Sequence, residues 1–494
     1  MDRKWRALTI VCVAIFMLLL DITIVNVALP PIENELHASF TDLQWVVDAY
    51  ALTLASLVLN AGSLADLLGR KRLFAAGVAL FTVGSALCGA ATTPLFLILA
   101  RGGQGIGGAM MFATSLAIIS NEFEGRQRGT AFGIYGATIG FAVAVGPLIG
   151  GVLTTYAGWR WIFFVNLPVG VACLAGTLMY LHESRDEAHG GFDLPGLVTF
   201  SGAAFTGVLA LLRGNDWGWG SVRVIGLLVA SAALLLGFVA IQLRAERPTF
   251  DLRLFRVPAF TGAQIVAFAI SAGMFSQFLY LTLYLQNVLG YSPLGAGLRF
   301  LPLSLLAFVV APLAGRLSVR MPVRFLLSGG LALVGVSLLL MHGISTGSGW
   351  TTLLAGFIVG GIGIGFVNAP LAQTAVSVAP RAQAGMASGI NNTFRQVGIA
   401  TGIAALGAVF QDRIKSELAG SPPALANAAA SGQYRAQGDP KLVQAVHAAF
   451  IAGLNEILLL AAFLTFAGAV LAVLLVRQKD IVAVAGASAD SAHA

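Results

Sequence analysis

The sequence predicts an all-α integral membrane protein of fourteen transmembrane helices, built as two six-helix halves with two additional central helices. Three observations predict it. The 494 residues are 57% hydrophobic and 10% charged, where a soluble domain carries about 25% charged residues, and the mean hydropathy is +0.85. The chain divides into fourteen apolar stretches, each of about 20 residues, the length a bilayer core requires. Finally, two sequence stretches recur after about 255 residues, as in membrane proteins made of two similar halves. Gly129-Thr130-Ala131-Phe132-Gly133-Ile134 returns as Gly385-Met386-Ala387-Ser388-Gly389-Ile390, and Gly62-Ser63-Leu64-Ala65-Asp66 as Gly315-Arg316-Leu317-Ser318-Val319.

The elements follow in order. Span 7–29 comes after the basic Arg3-Lys4-Trp5-Arg6. It is too long for a signal-peptide core and lacks a small-residue cleavage site, so it reads as an uncleaved first helix. Spans 44–64, 73–92, 94–119 and 130–153 follow, the last two rich in glycine, as close helix packing in a membrane demands. Span 162–182 opens after Trp159-Arg160-Trp161, an interfacial aromatic belt. Spans 194–212 and 222–243 are the inserted pair, and span 259–286 opens the second half. It carries Phe268, Phe275, Phe278, Tyr280 and Tyr284, a stripe whose helical spacing fits packing or lipid contact as well as a cavity wall. Spans 294–317, 323–343, 351–377, 385–410 and 448–476 complete the set. Gly361-Ile362-Gly363-Ile364-Gly365 sits mid-span and so reads as packing glycines, not a dinucleotide loop. The expected units are residues 1–190 (first bundle), 191–243 (inserted helices), 244–258 (a basic, proline-bearing cytoplasmic linker), 259–476 (second bundle) and 477–494 (a cytoplasmic tail). The hydrophilic stretch 411–447 is rich in Ala, Ser, Gly and Pro.

Charge sets the orientation. With the N-terminus in the cytoplasm, inner segments hold 19 Lys and Arg and outer segments 7, Arg213 among the outer ones; the bias places both termini inside. The net charge of +7 is distributed by membrane side, which is no nucleic-acid footprint. Cys12, Cys88 and Cys173 all lie in apolar spans and show neither a disulfide framework nor metal-ligand spacing.

Ionisable residues inside spans mark function by default. Asp21 is the only one in its run, and its structural alternative is a polar cap on a neighbouring helix. At 1.5 Å per residue Asp21 lies about 12 Å deep, Arg101 about 10 Å, Arg395 about 15 Å and Glu456 about 12 Å. Asp21 and Arg101 can therefore share one level, where the arginine would govern when the acid takes a proton; the alternative for Arg101 is snorkelling to the interface. Glu456 could simply be neutralised by Arg395. Asp21, Asp48 and Glu456 stand against Arg101, Arg299 and Arg395. That balance does not lean acidic, as a cavity for lipophilic cations alone would, so neutral and anionic amphiphiles stay open.

Leu20-Asp21-Ile22-Thr23-Ile24-Val25-Asn26-Val27-Ala28-Leu29-Pro30 resembles the first-helix signature of the fourteen-helix drug–proton antiporters of the major facilitator superfamily, the QacA/EmrB type. Gly62-Ser63-Leu64-Ala65-Asp66-Leu67-Leu68-Gly69-Arg70-Lys71-Arg72 resembles the superfamily's cytoplasmic motif, although Leu67 stands where a basic residue is usual and Val319 stands at the acid's position in the second copy. Leu99-Ala100-Arg101-Gly102-Gly103-Gln104-Gly105 resembles the fourth-helix motif, and Gly136, Gly140, Gly146-Pro147 and Gly150 the antiporter motif. The stretches 159–170, 284–293 and 385–398 continue the likeness.

The resemblance implies the major facilitator fold and proton-coupled antiport that exports hydrophobic or amphipathic small molecules from the bacterial inner membrane. It implies proton coupling by Asp21, Arg101 and Glu456. It implies a substrate cavity lined by Asn26, Gln104, Phe275, Tyr280, Tyr284, Asn391 and Arg395, and a latch of Gly62, Asp66, Gly69 and Arg70. No cofactor other than the coupling proton, no metal and no catalytic residue are expected. The expected partners are substrates, protons and lipids, with a periplasmic adaptor as a further candidate and no nucleic acid. Two alternatives stay open: a facilitator or proton symporter for a metabolite on the same fold, and a non-transporting membrane scaffold or membrane enzyme.

Overall fold

Fourteen helices traverse the protein in a computed structural model that describes residues 2–185, 193–245, 250–318, 320–380, 383–419, 425, 429, 440–477 and 480. In chain order they are α1 (Arg3–Leu36), α2 (Phe40–Leu68), α3 (Arg70–Gly89), α4 (Pro94–Glu122), α5 (Gly125–Tyr156), α6 (Trp161–Tyr180, interrupted at Val165), α7 (Leu194–Trp217) and α8 (Val222–Arg244). Then come α9 (Pro258–Val288), α10 (Pro293–Leu317), α11 (Val323–Met341), α12 (Leu354–Ser377), α13 (Ala384–Glu417) and α14 (Pro440–Leu475). Among the described residues, thirteen are long and apolar enough to cross a bilayer. The other, α5, is a 32-residue helix packed between α1, α10 and α12.

Local chemistry sets the helix ends. Ser39 and Asp42 form a reciprocal capping box at the start of α2, with bonds of 3.2 and 2.9 Å, which satisfies two backbone donors that have no intrahelical partner. Thr93 and Ser292 cap α4 and α10, each followed by a proline at the first helical position, where the missing N–H costs nothing. Between α2 and α3 the chain turns at Gly69, φ +108°. A side chain there would be strained and would also strike the Glu183 carboxylate. Glu183 in turn accepts from Lys71 N (3.1 Å) and Arg72 N (3.2 Å), covering the N-terminus of α3.

Helices α9–α14 enclose a hydrophobic core of their own, and the core of α1–α6 extends onto Ala372 and Val376 of α12 and Ala384 of α13. The two halves cross at the end of the bundle where the chain starts, and the crossings pair the repeated motifs. A methyl carbon at Gly62 (α2) would lie 2.3 Å from the carbonyl oxygen of Gly385 (α13), and one at Gly315 (α10) 2.1 Å from that of Gly129 (α5). The first copy of each motif thus meets the second copy of the other, backbone to backbone. The α5–α10 seam stays tight along its length, with Gly133 on Pro312, Gly140 on Ala307 and Gly297 on Leu148. The α2–α13 seam is closed near Leu59 and Gly389, while further along α7 fills it with Val208 against Leu52, Ala55 and Ala400.

The inserted pair holds the two halves differently. Helix α7 bonds to α2 through Asn60 to Leu197 O (3.1 Å) and Ser201 Oγ (2.6 Å), and through Ser201 to Ser56 O (3.2 Å). Toward α13 it offers, among the described residues, apolar contact and a single long bond, Asn215 to Ala404 O at 3.4 Å.

Helix lengths correct two sequence expectations. Helix α7 runs to Trp217 and buries Arg213, which the sequence places in an outer loop. Helices α13 and α14 overrun their apolar spans, to Glu417 and from Pro440, because good helix formers continue the backbone after hydropathy falls. Glu456 therefore sits at a rim, not deep: it is half exposed beside Arg413 (3.7 Å), and its neighbour Asn455 accepts from the N–H groups of Gly343 and Ile344 just past α11. Arg299 likewise stacks on Tyr291 and Trp350 near the first turns of α10. Residues 246–249 of the expected linker and most of the expected tail lie outside the described residues, as does Val319.

At the opposite end from the Gly62–Gly385 crossing, Glu35 pairs with Arg160 and accepts from Trp159 Nε1 (2.6 Å). The Arg160 hydrogen bond, then that of Trp159, holds the Glu35 carboxyl below the ordinary carboxylate range. A depressed acid stabilises the fold above its unfolded pKa of about 4.3 and loses that contribution as pH falls through the folded value. The tie is thus complete at neutral pH, and Glu35→Gln should leave the shape of the transport profile between about pH 6 and 8 unchanged. A profile displaced within that range would contradict this.

Candidate functional site

The site forms around Asp21, midway along α1 and buried. Arg101 Nη1 of α4 pairs with Asp21 Oδ2. Gln104 Nε2, one turn further along α4, donates to Asp21 Oδ1 at 2.9 Å, and Asn166 Nδ2 of α6 to the same oxygen at 3.2 Å. Arg101 is itself held by Val46 O (3.1 Å), Gln104 Oε1 (2.8 Å) and the Tyr50 ring, 4.3 Å from its guanidinium carbon. Asn166 also donates to Ser85 Oγ (3.0 Å), which donates to Phe163 O (2.9 Å). Five helices therefore converge on one carboxylate.

The local sequence explains the placement. Arg101 and Gln104 are three apart on α4 and share a face. The glycines around them admit α2 and α3: Gly105 lies against Tyr50 and Thr53, and Gly84 of α3 against Gln104. Helix α6 breaks at Val165, beside Asn166, three residues ahead of Pro168, which can give no backbone donor to the preceding turn. Glycines of α5 seat α1 next to the acid: Gly146 meets Thr23 and Gly150 meets Ile24, while Gly136 receives α12 and Gly140 receives α10.

The arrangement has a chemical consequence. A carboxylate in this interior costs several kcal/mol unless paired and hydrogen-bonded, and Asp21 has one guanidinium and two amides as donors. Arg101→Leu would leave the acid with amides alone, a loss of about 3–5 kcal/mol if it stays ionised. The double change Asp21→Leu with Arg101→Leu should recover most of that stability and no transport. Thermal-shift measurements on both singles and the double check it; additive losses would mean the pair is not energetically coupled.

Among the other expected residues, Asp66 is fully buried and accepts from Arg70 Nε (2.9 Å) and Nη2 (2.7 Å), and from the N–H groups of Gly385 (3.0 Å) and Met386 (2.8 Å) at the start of α13. Gly62 and Gly69 flank it as described. The expected cavity residues do not form one group. Gln104 belongs to the Asp21 network. Tyr280 donates to Ile403 O (2.9 Å) and packs on Phe410, and Tyr284 donates to Ser348 O (3.2 Å); both are core residues of the second half. Phe275 stacks on Phe278 against the same core. Asn391 donates to Gln264 Oε1 (3.1 Å), and Arg395 donates to Asn368 Oδ1 (3.1 Å). The side chains of Asn26 and Pro147 lie outside those described.

Sequence reasoning missed Asn166, Ser85 and Arg213. Asn166 is a neutral polar residue in an aromatic run, and its only signal is the Pro168 that follows. Arg213 pairs with Asp48 (3.0 Å), bonds Gln44 (2.6 Å) and covers the Trp45 ring. Helix α9 contains π-helical turns at Ser271–Phe275 and Tyr284–Val288, a feature frequent at functional sites and without a sequence mark here.

A profile of the Major Facilitator Superfamily matches residues 11–403. The chain is 38% identical over 410 residues to "Multidrug resistance protein Stp" of Mycobacterium tuberculosis (strain CDC 1551 / Oshkosh), covering 82% of this chain and 76% of that one. It is 36% identical to "Tetracenomycin C resistance and export protein" of Streptomyces glaucescens, over 83% and 77% of the two chains. With "Puromycin resistance protein pur8" of Streptomyces alboniger it shares 38% over 85% of each. The crystal structure of the human organic anion transporter MFSD10 (TETRAN) superposes with a TM-score of 0.61 over 94% of this chain and all of that one, at 15% identity, a likeness of fold. Fourteen helices in this arrangement and the matched profile together make the chain a multi-pass member of the Major Facilitator Superfamily.

Proposed function

We propose that the protein is a proton-coupled antiporter that exports hydrophobic or amphipathic small molecules, multidrug efflux by alternating access, and that it is not an enzyme. The observation that carries the reading is Asp21, a carboxylate inside the membrane fold held by Arg101, Gln104 and Asn166. It is a titratable group whose partners lie on helices of one half, so a change in how the halves meet can alter its access to either side. Relatives named for multidrug resistance, resistance and export support the substrate class. Asp66 and Arg70, clasping the start of α13, would act as the latch of the state seen here, with Gly62 giving the close approach and Gly69 the turn into α3. The antiporter glycines of α5 would carry the relative motion of α1, α10 and α12. We place both termini in the cytoplasm of a bacterial inner membrane on the charge bias of 19 to 7. Lipid would surround the exposed Val222, Val229, Leu236 and Leu243 of α8. The coupling ion is the proton and no cofactor is invoked; a periplasmic adaptor is a candidate partner.

The test is efflux of ethidium and a panel of antimicrobials from pump-deficient cells. Export that collapses on adding a protonophore supports the reading. Inward flux of a metabolite, or export indifferent to the protonophore, overturns it.

A further inference from the structure

Three buried or nearly buried acids of the helical bundle each have an arginine: Asp21 has Arg101, Asp48 has Arg213 and Asp66 has Arg70. Arg395 of α13 is a fourth buried arginine, 6% exposed, and among the described residues no carboxylate pairs with it. Its hydrogen-bond partner is Asn368 Oδ1 of α12, a neutral acceptor, at 3.1 Å. That bond turns the Asn368 amide so that Nδ2, also buried, has no partner. The buried Asn368 Nδ2 is thus a donor without an acceptor, beside a guanidinium whose one hydrogen bond among the described residues goes to a neutral oxygen. Helix α5 borders the pair, a methyl carbon at Gly136 lying 3.3 Å from Asn368 Cβ, and its Tyr135 hydroxyl is already bonded to Ser115 Oγ at 2.9 Å.

The position is where the halves meet. One turn before Arg395, Asn392 donates across to Phe112 O of α4 at 2.9 Å, and Gly136, against Asn368, belongs to the first half. A cation held inside a membrane protein by one neutral hydrogen bond is costly; an oxyanion that accepts from both donors offsets that cost.

We propose that Arg395 and Asn368 form an anion subsite that binds the carboxylate or sulfonate of an amphipathic substrate. This rests on reading the chain as an exporter and names one substrate class for it. The anion could come from the substrate or from chloride, and the experiment separates the two.

The probes are anilinonaphthalene sulfonate and phenylnaphthylamine, which share an aromatic skeleton and differ by the sulfonate. Binding is read by quenching of tryptophan fluorescence in nanodiscs, with empty nanodiscs subtracted and no proton gradient, so it does not depend on transport. A charge-assisted hydrogen bond is worth about 1.5–3 kcal/mol, so Arg395→Gln should weaken the sulfonate dye by about tenfold or more and move the neutral dye by less than about twofold. Asn368→Asp is nearly isosteric and supplies a carboxylate from within; it should also lose the sulfonate dye and keep the neutral one, whereas a purely structural Arg395 would tolerate it with both affinities unchanged. Arg395→Lys should lie between. Retained binding of the neutral dye certifies the fold of each variant. Equal losses for both dyes, or none for the sulfonate, overturn the proposal. Chloride binding that depends on Arg395 without any discrimination between the dyes overturns the substrate assignment. Failure of the protonophore test would instead remove the exporter reading and leave this result standing.

Discussion

Asp21→Asn should reduce proton-driven efflux to background. Asparagine keeps the size and one oxygen acceptor for Gln104 and Asn166, but it cannot titrate, and it leaves the Arg101 guanidinium buried without its anion. Breaking a buried pair from one side costs about 3–5 kcal/mol, so the variant should also melt earlier. The loss of coupling is separable from the loss of stability. Substrate binding to purified protein should partly survive, while substrate-induced proton release in detergent should vanish. Normal active efflux by Asp21→Asn would sink the assignment of the coupling acid.

The second large effect is expected from the smallest change. Gly62→Ala adds one methyl, 2.3 Å from a backbone carbonyl oxygen that cannot move independently of α13. The helices must part. Overpacking of this kind costs about 1–3 kcal/mol, a shift of roughly 5- to 150-fold in the ratio of closed to open seam. The three native cysteines are buried, so Ser388→Cys, one turn along α13 and fully buried, can report the opening. Maleimide labelling of Ser388→Cys should accelerate when Gly62→Ala is added, and transport should fall. Unchanged labelling with unimpaired transport would mean the crossing is not a moving seam. Asp66→Ala acts on the same crossing more gently. It removes the acceptor of two α13 N–H groups and of Arg70, and should slow turnover with affinity kept within a few-fold. A large affinity loss at unchanged turnover would argue that Asp66 belongs to the binding site.

The sequence made some of this legible for a physical reason. A charge in an apolar run is rare because it is costly, so Asp21 and Arg101 announce themselves, and the fixed rise of a helix turns chain position into depth. Asp66 was marked only by the resemblance of its motif, because the N–H groups it accepts from, those of Gly385 and Met386, lie more than 300 residues away and leave no local sign. Asn166 and Ser85 were not, since neutral polar residues are cheap enough to occur anywhere in a membrane helix and carry no sign that demands a partner. Glu456 and Arg213 were misplaced by opposite errors at a helix end. The apolar span stopped before the helix did. Glu456 was counted from a bilayer boundary that the helix overruns, and Arg213 was left in a loop although α7 continues past it. Hydropathy reports where lipid ends, whereas hydrogen bonding decides where the helix ends.

The unequal hold of α7 on its neighbours bears on how a greasy molecule could reach the interior. Bonded along its length to α2 and greased against α13, α7 screens the half of that seam far from the Gly62–Gly385 crossing. A solute dissolved among the acyl chains meets a fence there on one flank and a glycine zip, α5 on α10, on the other. The two flanks yield differently. The zip opens only by separating backbones in van der Waals contact, while the fence needs only side chains to slip. Sideways exchange with the bilayer should therefore be one-sided, and the added pair of helices would decide which flank admits it.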